Sequence, residues 1–267
     1  MLVLLPPSAG KVPAGEGPAV ELSQLTMPEL SWQRDTVRAA LTKICADPQE
    51  MATAREILGL SSRQVAALAA NRDLDSAPTL PAAQRYVGVL YDALGLPELR
   101  TGPSGARIAN SVLIFSGLWG VVGIDDQIPD YRLSMDVRLP QLGRMASFWR
   151  RHLTEPLHHH TAGQLLVDCR STPYAAAFPA QAAPSSTMVT IRVLRERIVD
   201  GTAQRSVVSH HAKATRGAVA RSLLTENVSP ETTGELVEAL TARGFRIETG
   251  PATPPGKPQQ ISVITVP

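Results

Sequence analysis

Apolar positions along the chain change their period several times, and each change marks an element. Leu2, Val3, Leu4 and Leu5 form an unbroken apolar run cut by Pro6-Pro7, the pattern of a short strand buried on both faces. A Pro/Gly/Ala-rich loop follows over 6–17. Thr26 and Glu29 stand at capping-box spacing, with Pro28 suited to a first turn, and predict a helix starting near Thr26. Ser61 and Gln64 repeat that spacing ahead of Val65, Leu68 and Ala69. Tyr86, Val87, Leu90, Tyr91 and Leu94 keep to one helical face, and Gly95 then Pro97 are expected to end that helix.

The middle of the chain switches to strands. Val112 to Phe115 is a short buried strand running into Ser116-Gly117, and Gln164 to Asp168 reads as another, fed by a helix from Arg144 to Leu157. A Pro/Ala/Ser loop covers 178–186. Val189, Ile191 and Val193 then alternate with Thr190 and Arg192, the signature of a half-buried strand. Asp200-Gly201 is a hairpin signal, with Ser206 to Ser209 expected to return the chain. Helices over 212–226 and 231–243 follow, and Ile261 to Val266 alternates as a last strand after a Pro/Gly-rich loop at 250–258. The mixture predicts an α/β (mixed α+β) fold, one compact domain over 1–267 with helices flanking a mixed sheet.

Composition narrows the function classes. The 267 residues are 43% hydrophobic and 19% charged, which excludes wholesale disorder. A formal net charge of +2 argues against a chain that coats nucleic acid by bulk charge, so any anion site must be local. No apolar stretch approaches the roughly 20 residues that span a bilayer, and the first residues lack a basic leader, so neither membrane nor signal peptide is expected. Cys45 and Cys169 have no metal-type spacing and read as free thiols of a cytoplasmic protein. Adjacent helical residues diverge by about 100°, so His158-His159-His160 reads as a solvated or helix-terminal cluster. Zinc-hydrolase, Walker, paired C-x-x-C and G-x-S-x-G motifs are absent from the sequence, and no cofactor or metal is expected.

Chemistry concentrates in a few places. On the helix from Ala212, the residues Lys213, Gly217, Ala220 and Leu224 share a stripe with Arg216 beside it, bordering apolar Ala212, Val219 and Leu223. Two cations at the inward edge of an amphipathic helix either form an anion pocket or lay their stems over the core with their heads in water. Residues 192–221 carry a net +5, from seven cations including Arg221 against Glu196 and Asp200. Such a hairpin and helix can contact a phosphate backbone or simply protect a strand edge. Three strand ends carry polar residues: Ser8 and Lys11; Ser116 and Gly117, with Tyr131 and Arg132 further on; and Asp168, Ser171 and Tyr174. They converge on one pocket if the strands are neighbours.

The segments Leu4-Leu5-Pro6-Pro7-Ser8-Ala9-Gly10-Lys11, Ser116-Gly117-Leu118-Trp119-Gly120 and Tyr131-Arg132-Leu133-Ser134-Met135 resemble the YaaA family of peroxide-stress-resistance proteins. Arg138-Leu139, Phe148-Trp149, Asp168-Cys169-Arg170-Ser171, Tyr174, Ala212-Lys213 and Arg216-Gly217 extend the match, in consistent order, to about residue 248. The resemblance implies a compact mixed α/β fold with a positively charged cleft, a cytoplasmic role in oxidative stress, DNA binding and limitation of free iron. Relatives with this opening usually carry Glu where this chain has Ala9, although other members align there without an acid. If that Glu is a catalytic acid, base or nucleophile, this chain lacks it.

The expected partner is therefore DNA or a nucleotide-like small molecule. The alternative is an enzyme acting on a nucleobase, nucleoside or nucleotide, for example at the base–sugar bond. Lys11, Ser116, Tyr131, Asp168 and Lys213 are its catalytic candidates, and Ser8, Gly117, Arg132, Ser171, Tyr174, Arg216 and Arg221 its ligand-binding candidates. Direct iron binding has weaker candidates in Asp125, Asp126 and His158 to His160.

Overall fold

A computed structural model describes residues 1–267 apart from 200, 201, 208, 226, 227, 252, 255 and 267. Its centre is an eight-stranded mixed sheet. In chain order the strands are β1 (Leu2–Leu5), β2 (Val112–Ser116), β3 (Gly120–Val122), β4 (Leu165–Asp168), β5 (Thr187–Val199), β6 (Thr202–Ser206), β7 (Arg246–Thr249) and β8 (Gln259–Thr265). The lateral order is β7-β8-β5-β4-β1-β2-β3, with β6 hairpinned onto β5. Strands β1, β2 and β4 are buried throughout, as parallel strands with both faces covered must be.

The helices that matter here are α1 (Ser31–Ala46), α2 (Val89–Leu94), α3 (Met145–Thr161), α4 (Ser209–Thr225) and α5 (Thr233–Thr241). Helix α4 lays buried Ala212, Val219, Ala220 and Leu223 against the core, with α2 and β5 as its neighbours. That crossing is close: a Cβ built on Gly217 would stand 2.2 Å from the Leu90 carbonyl oxygen of α2, so only glycine fits.

Register places the site. Strand β1 pairs in parallel with β2 on one side and with β4 on the other, and Leu4, Asp168 and Thr190 lie in one row across β1, β4 and β5. From β1 the chain crosses to β2; from β4 it crosses the opposite way to β5. The carboxyl ends of β1 and β4 therefore flank a topological switch point, where open parallel sheets leave a crevice.

Several local expectations shift. Thr26 does not cap a helix: its backbone N–H and hydroxyl donate to the Asp126 carboxylate, and a 3-10 turn at Pro28–Leu30 leads into α1. Gly95 ends α2 in the left-handed region (φ 62°), but Pro97 opens the next helix, Leu96–Thr101, rather than following a break. The return strand is 202–206, and Ser209 already belongs to α4; the turn residues Asp200 and Gly201 and Val208 lie outside the described residues. Ser61 and Gln64 form the reciprocal half of their box, with the Gln64 side chain accepting from the Ser61 N–H. No helix among the described residues is long and apolar enough to cross a membrane.

Candidate functional site

A cleft of about 740 Å³ opens at the switch point. Its walls come from the loop after β1, the segment after β4, the 132–134 stretch and the first turns of α4. Of the sequence candidates, Ser8, Lys11, Arg132, Asp168, Ser171, Tyr174, Lys213 and Arg216 line it. Ser116, Tyr131, Gly117 and Arg221 are not part of the lining, and each is explained by its contacts.

Ser116 and Tyr131 form the floor beneath Lys11. The three hydroxyls Tyr86, Tyr131 and Ser116 make a buried chain, with oxygens 2.8 and 2.6 Å apart. The Ser116 oxygen also accepts the backbone N–H groups of Leu118 and Trp119, which anchors the chain to the β2–β3 turn. Burial pushes the Tyr86 and Tyr131 phenols above their usual range, so the chain is neutral. Lys11 is half-buried; its Nζ lies 4.2 Å from the centre of the Tyr131 ring and 5.5 Å from that of Tyr86. It donates to the Ser8 carbonyl at 3.0 Å. Desolvation brings the Lys11 ammonium down to about 7, with the Asp130 carboxylate opposing and the Arg132 and Arg85 charges assisting. The ring faces favour the ammonium while the low-dielectric surroundings favour the amine.

Three cations line the rest of the cleft. Lys213 is exposed at the first turns of α4, and Arg216 is held in place by donating its Nε–H to the Ile191 carbonyl at 3.1 Å. Arg132 donates Nη1–H to the Ala9 carbonyl at 2.8 Å. Its own backbone is pinned by buried Asn71, which accepts the Arg132 N–H at 2.7 Å and donates to its carbonyl at 2.9 Å. Ala9 thus shapes the cleft through its carbonyl and contributes no acid there.

Asp168 is the one carboxylate among the described lining residues, and it is occupied. Arg170 pairs with it through two side-chain bonds of 2.8 and 2.9 Å, with the two side chains 0% and 4% exposed. Arg170 reaches further, to the carbonyls of Tyr174 and Phe178 and over the Phe115 ring at 4.2 Å. The pair therefore ties the strand end of β4 to the 170–178 segment that carries Ser171 and Tyr174. Ser8 spends its hydroxyl on the Gly10 carbonyl, and Ser171 is the residue before the short helix Thr172–Ala175. Burial raises the Tyr174 phenol, with the Ser134 hydroxyl and Met135 backbone opposing. Buried Cys169 also borders the cleft, its thiol pushed up to about 12 by desolvation, the mark of an inert sulfur.

The remaining candidates serve the frame. A Cβ on Gly117 would stand 2.4 Å from the Leu133 carbonyl oxygen, and its own carbonyl accepts the Trp149 indole N–H at 2.7 Å. Arg221 donates to the Leu94 carbonyl at 2.9 Å and pairs with Glu98 at 3.2 Å. The local +5 is partly neutralised from afar: Arg205, which also pairs with Glu196, reaches the remote Glu248. Asp125 pairs with Arg100, Asp126 holds Thr26 and the Gly123 N–H, and the three histidines lie in the last turn of α3. Among the described residues no group of three His, Cys, Asp or Glu side chains is disposed to hold a metal ion.

Sequence reasoning overlooked Arg170, Asn71 and two fully buried arginines. Arg34 donates to the carbonyls of Thr26, Met27, Trp119 and Val121. Arg85 does the same for Val12, Ala14, Pro78 and Ile128, fixing the loop that carries Lys11. A signal existed for Arg34, which falls between Leu30, Val37 and Leu41 on the buried face of α1.

Residues 1–250 match the family model described as "Peroxide stress protein YaaA". A UPF0246 protein of Streptomyces coelicolor is 41% identical over 264 residues, covering 99% of this chain and 98% of the relative. UPF0246 proteins of Corynebacterium efficiens and Corynebacterium glutamicum are 37% and 34% identical, covering 93% and 94% of this chain and 95% and 96% of the relatives.

Proposed function

The chain belongs to the YaaA family of peroxide stress proteins, and from that premise we propose that it acts by binding a small phosphate-bearing ligand, of nucleotide size, in the switch-point cleft. The observation that carries this reading is the convergence of Arg132, Lys213 and Arg216 on one cavity whose only described carboxylate is already paired with Arg170. Cations with no carboxylate partner among the described residues, set around a concave site, suit a phosphate, which supplies the missing negative charge and accepts several hydrogen bonds at once. A volume of about 740 Å³ falls in the range of roughly 300–1,000 Å³ typical of small-molecule sites.

Duplex DNA is the second reading, favoured by the exposure of Arg192, Arg197 and Lys213. A duplex is too wide to enter the cleft and would lie across its mouth, with affinity that falls steeply as salt rises. Thermal denaturation with inorganic phosphate, ribose 5-phosphate, adenosine monophosphate and a short DNA duplex separates the two. Small phosphates should raise Tm in the parent protein and do so far less in the Lys213→Ala/Arg216→Ala variant, because only a ligand of the folded state stabilises it. Binding of the duplex with no response to, or competition by, any small phosphate would overturn the cleft reading in favour of the surface one.

A further inference from the structure

Phosphate binding by Arg132, Lys213 and Arg216 leaves the Lys11 amine without a task. The chain has four lysines, Lys11, Lys43, Lys213 and Lys257. Lys43 borders a separate groove beside α1, and Lys213 stands exposed at the cleft wall. Lys11 shares the cleft with Lys213 but differs from it in burial and in what surrounds the amine. It lines the cleft, and its Nζ is boxed between two tyrosine rings and the Ser8 carbonyl. Among the described residues no carboxylate forms an ion pair with it; Asp130 acts on it only through its field, against those of Arg132 and Arg85. A lysine in apolar surroundings beside other cations is the setting in which an amine becomes nucleophilic at neutral pH. Backbone carbonyls hold both arginines, buried Arg85 through Ile128 and half-buried Arg132 through Ala9, so the cationic neighbours stay in place.

An amine and a phosphate-holding wall in one cavity select a definite ligand chemistry. We propose that Lys11 condenses with the carbonyl carbon of a phosphorylated aldehyde or ketone whose phosphate is held by Lys213, Arg216 and Arg132. The proposal rests on the phosphate reading and names the substrate class of that same cleft. In the condensation the Nζ lone pair attacks the carbonyl carbon and a C–N bond forms. The carbinolamine then loses its oxygen as water, which carries away both amine protons, and an imine remains. No oxidant, reductant or further reactant is consumed. The neutral hydroxyl chain under Lys11 has no part in the bond changes; its role is to hold the Tyr131 ring face against the amine.

Reductive trapping tests this on the intact chain. The protein is incubated with pyridoxal 5′-phosphate, a phosphorylated aldehyde, or with pyridoxal, its unphosphorylated counterpart. Borohydride then fixes any imine as a secondary amine, and peptide mass spectrometry locates it. Lys11 should be modified at least about tenfold faster by the phosphorylated probe, and far ahead of Lys43 and Lys257. Inorganic phosphate should slow that labelling, Lys213→Ala/Arg216→Ala should remove the advantage of the phosphorylated probe, and Lys11→Arg should leave no label at that position. Dominant labelling of Lys213, or labelling of Lys11 no faster than of Lys43 and Lys257, overturns the proposal without any variant having to fold. Phosphate binding is measured on the same samples by calorimetry. If phosphate binds while Lys11 stays unlabelled, the imine falls and the phosphate reading stands; equal labelling of Lys11 by both aldehydes with no phosphate binding overturns both.

Discussion

Removing the Asp168 carboxylate should destabilise the protein far more than a substitution at a cleft rim would. Asp168 and Arg170 are 4% and 0% exposed at their side chains, so Asp168→Ala strands a guanidinium in the core with two carbonyls, the Met188 sulfur and the Phe115 ring as its remaining partners among the described residues. Breaking one half of a buried pair costs about 3–5 kcal/mol, because the remaining charge keeps its desolvation penalty and loses its compensation. Against a typical total of roughly 5–15 kcal/mol, this is about a fifth of the stability at the least. Replacing both partners by apolar side chains, as in Asp168→Ala/Arg170→Met, should recover most of the loss, since no charge is then stranded. Guanidinium denaturation of the three proteins supplies the numbers. A loss below about 1 kcal/mol for Asp168→Ala, or a double variant no better than the single one, would refute the reasoning that this pair is a closed unit.

Gly217→Ala should cost about 1–3 kcal/mol, because its Cβ would stand 2.2 Å from the Leu90 carbonyl oxygen and 2.9 Å from the Ala93 methyl; thermal denaturation measures it, and an unchanged Tm would mean α2 and α4 can separate freely. Tyr131→Phe removes the central hydroxyl of the buried chain and should cost about 1–3 kcal/mol in the same assay. Lys11 gives stability an unusual pH dependence. Its folded-state value of about 7 lies below the ordinary lysine value of 10.5, so between those two the unfolded chain binds the extra proton and stability rises with pH. Relative to Lys11→Met, the parent protein should therefore gain stability from pH 7 towards pH 10 in urea titrations, and a flat difference would place the amine in water.

Much of the frame was legible because it depends on local pattern. The apolar runs at β1, β2 and β4 require burial on both faces, and they form the central parallel strands. Ala212, Val219 and Leu223, the apolar positions bordering the Lys213 stripe of α4, are likewise buried while Lys213 is exposed. What escaped is tertiary. Thr26 has the spacing of a cap, but Asp126, a hundred residues away, offers it a stronger acceptor. The +5 of residues 192–221 is legible as a sum, yet Glu98 and Glu248 come from remote segments to offset it. Arg34, Arg85 and Arg170 draw no structural reading from the sequence because nothing local announces the carbonyls and the carboxylate that receive them. Ser116 and Tyr131 have the chemistry of reactive candidates in the sequence, while their contacts place them under Lys11, outside the cleft lining.

Lys213, Arg216 and Arg132 are the proposed phosphate contacts of the switch-point cleft. Isothermal titration of the full chain with inorganic phosphate and with adenosine monophosphate tests this assignment most directly. Saturable binding of both, weakened by salt and by at least about tenfold in Lys213→Ala/Arg216→Ala with folding intact, is the predicted result. No heat of binding from either probe, or equal affinity in parent and variant, would contradict it.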